Sequence, residues 1–244
     1  MRTLKLVVQY DGTDYVGWQR QPNGTSIQEL IERAIEPIEG RQVTVVGAGR
    51  TDAGVHALGQ VASVQLESSI DPAALARALN ATLPEDVRVA SVEEAATDFN
   101  ARFSATGKVY AYRIWTGPFL PPFERRYFWH VPASLDVDRM REAGRALVGT
   151  HDFSAFRAAG SDATTSARTI RELQVEFEAE RVIVTIAGDG FLRYMVRAIV
   201  GTLVEVGQGR RPVEGVAATL ASRDRSQAGP TAPAKGLVLV RVKY

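Results

Sequence analysis

Apolar residues along this chain follow two spacings. Short runs carry an apolar or β-branched residue at every second position, and longer stretches carry one at every third or fourth. The first spacing is that of a strand with one buried face, the second that of an amphipathic helix. Residues 4–10 read as a strand, with Asp11-Gly12-Thr13 as the turn after it. Ser26-Ile27-Gln28-Glu29 has the form of a capping box. It opens a helix in which Ile27, Leu30, Ile31, Ala34, Ile35 and Ile38 share one face, and Pro37 is expected to end or distort it. Residues 43–46 and 61–66 read as strands on either side of a loop. Asp71-Pro72 starts a second helix with Leu75, Ala76, Leu79 and Leu83 inward, Pro84 closes it, and 87–92 is another strand. The order β-α-β-β-α-β is the split-βαβ, ferredoxin-like arrangement.

The remainder repeats that order with longer connections. Residues 108–115 alternate like a strand, and Gly117, Pro118, Pro121 and Pro122 break the pattern. Asp136 caps a helix carrying Val137, Met140, Gly144 and Leu147. Strands are expected at 169–177 and 182–186, a strong helix at 191–206, a short helix at 213–220, a loop at 222–234 and a closing strand at 237–242. The repeat is one of element order, not of residue identity. The expectation is therefore an α+β protein of two ferredoxin-like (βαββαβ) halves, 1–104 and 105–244, related by a pseudo-two-fold axis. Their mixed or antiparallel sheets would be joined, with helices on one side and an active-site cleft between the halves.

Composition narrows the chemistry. The 244 residues include no cysteine, which excludes thiol nucleophiles, disulfides and zinc–thiolate sites. The three histidines, His56, His130 and His151, are too scattered to suggest a metal site. The first residues lack a signal-peptide core and no apolar run is long enough to span a bilayer, so a soluble cytoplasmic protein is expected. Net charge is only +1, yet the positive charge is nearly all arginine, whose forked donors suit phosphate and whose plane stacks on bases. A compositional bias would produce the same excess.

The candidate chemistry centres on Gly47-Ala48-Gly49-Arg50-Thr51-Asp52-Ala53-Gly54-Val55-His56, which holds three glycines, two opposite charges and a histidine. Glycines let backbone turn sharply and approach a ligand closely. Further on, Arg102 lies between Phe99 and Phe103, and Lys108, Tyr110, Tyr112 and Ile114 share one strand face, which could form a stacking platform for bases or simply hold core tyrosines. Arg193 and Arg197 are spaced to share a helix face, and a buried Arg197 would need a carboxylate, for which Asp52 is the candidate. His151-Asp152-Phe153-Ser154 brings Ser, His and Asp together, but a hydrolase triad draws on separated segments.

Taken together, these pieces resemble the TruA family of tRNA pseudouridine synthases. The resemblance rests on Gly49-Arg50-Thr51-Asp52-Ala53-Gly54-Val55-His56-Ala57, on Tyr10-Asp11-Gly12-Thr13, Gly17-Trp18-Gln19-Arg20-Gln21 and Phe99-Asn100-Ala101-Arg102-Phe103-Ser104-Ala105. It continues at His151-Asp152-Phe153, Met195-Val196-Arg197 and Ala232-Pro233-Ala234-Lys235-Gly236-Leu237. It implies that Asp52 is the catalytic aspartate, that Tyr110 stacks against the target base, and that Arg197 pairs with the aspartate. It further implies that Leu237 packs under the tyrosine and that Arg50 and Arg102 hold RNA or help extrude the base. By the same resemblance the protein is a cofactor-free, metal-free homodimer acting on uridines at positions 38, 39 and 40 of the tRNA anticodon stem-loop. Two positions depart from many relatives: Gly47-Ala48 stands where a cysteine is common, and Asn100 where some carry histidine.

The chemistry suits the residues. Isomerising uridine needs one carboxylate as nucleophile or base, kept ionised, and a base held out of the stack on an aromatic face. Attack on uracil C6, attack on ribose C1′ and abstraction of a ribose proton all remain open to Asp52. Two rivals stand beside it. A non-catalytic RNA-binding protein leaves Asp52 without a purpose, since phosphate repels it. A glycosidase wants two facing carboxylates, and the loop offers one.

Overall fold

The computed structural model describes residues 1–158 and 164–244. It is an α+β protein. β1 (Arg2–Tyr10), α1 (Ile27–Glu39), β2 (Val46–Gly47), β3 (His56–Leu66), α2 (Pro72–Thr82) and β4 (Val87–Ala95) come first, in the expected βαββαβ order. Then follow β5 (Gly107–Trp115), β6 (Trp129–His130), α3 (Val137–Arg145), β7 (Gly149–Asp152), β8 (Ala167–Glu178) and β9 (Arg181–Gly188). The chain closes with α4 (Met195–Gly207), α5 (Gly215–Ser222) and β10 (Leu237–Lys243). With β6, β7 and α5 set aside as insertions, β5-α3-β8-β9-α4-β10 repeats the first order.

Contacts divide the chain into two units, 1–106 with 238–244, and 107–237. Chain order alone would leave the last seven residues with the second half. They group with the first because Val238 and Leu239 pair in parallel with His56 and Ala57 of β3, and because Thr106 N–H donates to Lys243 O at 2.8 Å.

In the first unit β1 lies between β4 and β3, antiparallel to both, and β2 pairs with β3. This is the strand order of the split βαβ. Leu4, Leu6 and Val8 of β1, Ile27, Ile31 and Ile35 of α1, and Leu75 and Leu79 of α2 are wholly buried and form its core. Both helices start as their residues dictate. The Ser26 hydroxyl accepts from Glu29 N–H, and the Asp71 carboxylate accepts from Ala74 N–H with Pro72 in the first turn. α2 stops at Leu83, the residue before Pro84, where the helical conformation is disfavoured.

Three expectations fail locally, each for a visible reason. Pro37 does not end α1. It sits in the last turn, and the helix runs on to Glu39 and terminates at Gly40 in the left-handed region, φ 73°. The strand expected at 43–46 shrinks to Val46–Gly47 because side chains of α1 take the ladder's place: Val45 N–H donates to Glu32 Oε1 and Val45 O accepts from Gln28 Nε2, both at 3.0 Å. β3 begins at His56, inside the motif, not at 61, because Gln60 and Ala57 pair with Val8 and Tyr10 of β1 on one side and His56 and Ala57 with Val238 and Leu239 of β10 on the other.

In the second unit the strands run β5-β9-β8-β7, antiparallel throughout, with β6 parallel to β5. α3, capped by Asp136 as expected, packs on β8 and α4. Tyr112, Ile114, Val182, Val184, Ile186, Phe153, Phe156 and Ile199 are buried in its core. The helix expected from 191 starts only at Met195, because Tyr194 holds a left-handed φ of 63° that a continuing helix cannot contain. Arg193 therefore lies in the turn before α4 and does not share a helix face with Arg197.

Candidate functional site

The motif loop is clamped by the stretch that follows β1. Gly17 and Asp52 form an isolated antiparallel bridge, Trp18 N–H donates to Thr51 O at 3.1 Å, and Gly54 N–H donates to Tyr15 O at 3.4 Å. The approach is too close for side chains. A Cβ at Gly12 would lie 2.0 Å from Val55 O, and one at Gly17, whose φ is +105°, would lie 2.4 Å from Thr51 O. Beneath the loop, the Tyr10 and Thr51 hydroxyls share a buried 2.8 Å hydrogen bond, and Gln60 Nε2 donates to Gly49 O at 2.9 Å. Burial pushes the Tyr10 phenol up to about 12, against the opposing hydrogen bonds from Thr51 and Gln60. Gly12 N–H donates to Nδ1 of the buried His56 at 3.0 Å, with Asp11 Oδ1 3.1 Å from the same nitrogen. A 52–55 turn, Val55 N–H to Asp52 O at 3.1 Å, completes the loop.

On this frame Arg50 is exposed and Asp52 half-buried. A carboxylate mounted on backbone fixed from both sides has little positional freedom, which is what a nucleophile or base requires. Arg102 belongs to the same unit, in a separate turn at 100–104 where it is exposed. The strings around Asp52 thus divide their work. Gly12, Gly17, Thr51 and His56 hold the loop, and Arg50 and Asp52 are carried on it.

The other sequence candidates lie in the second unit. Tyr110 on β5 is 7% exposed and meets Phe191 edge-on, centroids 5.2 Å apart. Tyr112 is not part of any platform. It is wholly buried, its hydroxyl donates to Pro233 O at 2.7 Å, and burial raises its phenol far above the ordinary tyrosine range, against the pull of the Arg197 charge. Arg197, half-buried on α4, donates from Nε to Ala232 O at 2.7 Å, and its guanidinium lies 4.8 Å from the Tyr194 ring centroid. Arg193 stands 5.0 Å from the same ring, so both guanidiniums approach Tyr194. The segment before Leu237 is thereby tied at Ala232 by Arg197 and at Pro233 by Tyr112, and Leu237 is buried. Sequence reading missed Tyr194. Its only signal is geometric, a non-glycine residue in the left-handed region beside a candidate site.

The Ser-His-Asp string at 151–154 does not assemble as a triad. Ser154 Oγ donates to Asp152 Oδ1 at 2.5 Å, whereas His151 Nε2 is bonded to Val148 O at 3.0 Å. That serine bond, with the Ser154 amide, holds the Asp152 carboxyl below its ordinary value. Among the described residues no group of three or more histidines, aspartates and glutamates is placed to hold a metal ion, and no helix is long and apolar enough to cross a membrane. A polar depression of about 200 Å³ beside α1 is lined by Glu29, Glu32 and Glu36 among its charged groups and includes no residue of the motif loop.

Comparison with known proteins agrees with the motif. Residues 6–104 and 143–244 match the model of a family described as tRNA pseudouridine synthase. A protein of Syntrophotalea carbinolica named tRNA pseudouridine synthase A is 48% identical over 244 residues, covering all of this chain and 97% of that protein. Its namesake in Acetivibrio thermocellus is 48% identical with both chains fully covered, and that of Myxococcus xanthus 49% identical over 245 residues with 92% of that protein covered. The chain belongs to the tRNA pseudouridine synthase family, and is an isomerase.

Proposed function

We propose that this enzyme isomerises uridine to pseudouridine in the anticodon stem-loop of tRNA, at positions 38, 39 and 40, with Asp52 as nucleophile or base. Tyr110 stacks on the flipped base with Leu237 packed under it, Arg197 pairs with the Asp52 carboxylate, and Arg50 and Arg102 grip the RNA. The observation that carries this reading is the doubly clamped loop that presents Asp52 from fixed backbone.

The reaction conserves atoms. The bond from ribose C1′ to uracil N1 breaks, a bond from C1′ to C5 forms, C5 loses its proton and N1 ends protonated. No electrons are gained or lost, so the reading calls for no cofactor. A paired arginine keeps the aspartate ionised when a base covers it. Extrusion of the base from its stack costs a few kcal/mol, which aromatic stacking and arginine–phosphate contacts offset. The same reading takes the protein as a cytoplasmic homodimer, a compartment that a cysteine-free chain suits.

The test uses tRNA carrying C5-tritiated uridine, because C5 must surrender its hydrogen. The protein should release tritium to water, and Asp52→Asn should reduce release on the order of a thousandfold or more while tRNA binding and the melting temperature hold. Appreciable turnover by Asp52→Asn would remove Asp52 from the chemistry.

A further inference from the structure

The turn at 100–104 contrasts a fastened base with a bare tip. Asn100 Oδ1 accepts from both Arg102 N–H at 2.9 Å and Phe103 N–H at 3.1 Å, while Asn100 and Ser104 bond to each other in both directions. Ala101 is wholly buried. Its N–H donates to Ser63 Oγ at 3.1 Å and its carbonyl accepts from the Tyr244 hydroxyl at 2.9 Å, with Phe99 in tilted contact with the Tyr244 ring, centroids 5.1 Å apart. From this anchored base two side chains project into solvent. Phe103 is 79% exposed, and the Arg102 guanidinium lies 5.5 Å from its ring centroid. A large aromatic held outside the core by a rigid turn contributes nothing to folding through burial. Beside a guanidinium it forms a surface with one π-face and one phosphate-binding fork.

We infer that Phe103 is a second base-stacking residue of this enzyme: its ring receives a nucleotide of the substrate RNA next to the phosphate held by Arg102. This rests on the reading that Arg102 faces the RNA. Every base offers a π-face, so the contact is tolerant of sequence and adds affinity to tRNA without selecting the target uridine. The fastening of the turn matters, because a ring carried on fixed backbone loses only side-chain freedom when a base settles on it. Arg102 keeps its charge for the backbone and is displaced from the ring by the incoming base.

The experiment compares Phe103→Ala, Phe103→Leu and Phe103→Trp for tRNA affinity and for tritium release at limiting and saturating tRNA. Loss of the ring should weaken binding roughly tenfold, raising KM much more than it lowers kcat. Leucine keeps apolar area but has no π-face, so it should behave like alanine. Tryptophan should restore affinity, and its indole fluorescence should be quenched on adding tRNA beyond the quenching seen in the parent. Melting temperatures should agree among all four proteins, since the side chain is exposed. Leucine binding as well as phenylalanine, or alanine binding as well as the parent while the parent turns over tRNA, overturns the stacking alone. A parent protein that neither binds nor converts tRNA overturns the underlying reading as well.

Discussion

Tyr10 shows how a buried residue outside the chemistry can help hold a site in place. Its hydroxyl meets Thr51 in the interior, directly before Asp52, and both groups are nearly dry. Tyr10→Phe leaves the Thr51 hydroxyl without that partner and should cost about 1–2 kcal/mol at neutral pH. The pH dependence carries a definite sign. Burial raises the phenol from 10.0 to about 12, so the folded state prefers the neutral form. The stability this contributes is complete below pH 10 and is lost as pH climbs towards 12, up to about 3 kcal/mol. Urea midpoints of the two proteins measured from pH 8 to pH 11 should therefore converge at the alkaline end. A constant gap would mean that the Tyr10 phenol is not buried in its neutral form.

At the scale of elements, α1 does more than cover the sheet. Glu32 lies on its apolar stripe, its side chain only 6% exposed, and accepts from Val45 N–H, from Gln28 Nε2 at 3.1 Å, and from Arg20, which is 57% exposed. Gln28 closes the network by donating to Val45 O and accepting from Arg20 N–H at 3.0 Å. Helix, arginine segment and the backbone that runs into the Asp52 loop are thus fastened at one buried carboxylate. Glu32→Ala leaves the buried Val45 amide without its acceptor and removes one of the two acceptors of the Gln28 amide, and should cost about 2–3 kcal/mol. Amide hydrogen exchange at residues 45–52 should also quicken and turnover fall. Arg20→Ala removes only the exposed arm of the network and should cost under about 1 kcal/mol. Equal losses for the two variants would show that the ion pair, rather than the backbone tie, carries the effect.

At the scale of the whole molecule, net charge is +1 and gives no general attraction for RNA. If exposed arginines such as Arg50 and Arg102 meet phosphates, affinity comes from local patches that release counterions, and log Kd should rise steeply with log salt. A site with about four to six phosphate contacts predicts a slope of about 3 to 5 in titrations of unmodified tRNA between 50 and 200 mM salt. A flat dependence would rule out phosphate contacts as the main source of affinity.

Local rules made much of this legible in advance. The caps at Ser26, Asp71 and Asp136, the stop at Pro84 and the alternation in β5 each depend on neighbours within a turn or on one face of a strand, so the βαββαβ order could be read directly. The Gly49–Ala57 string was equally plain, because glycines beside opposed charges leave a local signature. What the tertiary structure alone decided depends on partners distant in sequence. Nothing in the sequence marks Glu32 for burial until Val45 is brought to it, and β2 shortens for the same reason. β3 extends back to His56 because Gln60 and Ala57 pair with Val8 and Tyr10 of β1 and because Val238 and Leu239 of β10 arrive from the far end of the chain beside His56 and Ala57. Tyr112 and Tyr110 are both buried on the same strand, yet the hydroxyl of one is tied to Pro233 O while the ring of the other meets Phe191 edge-on. Tyr194 enters a left-handed conformation that no residue type announces, and so moves Arg193 off the helix and brings one ring within reach of two arginines. Periodicity reports which way a side chain points, whereas its partner across the fold is fixed only when the chain has closed on itself.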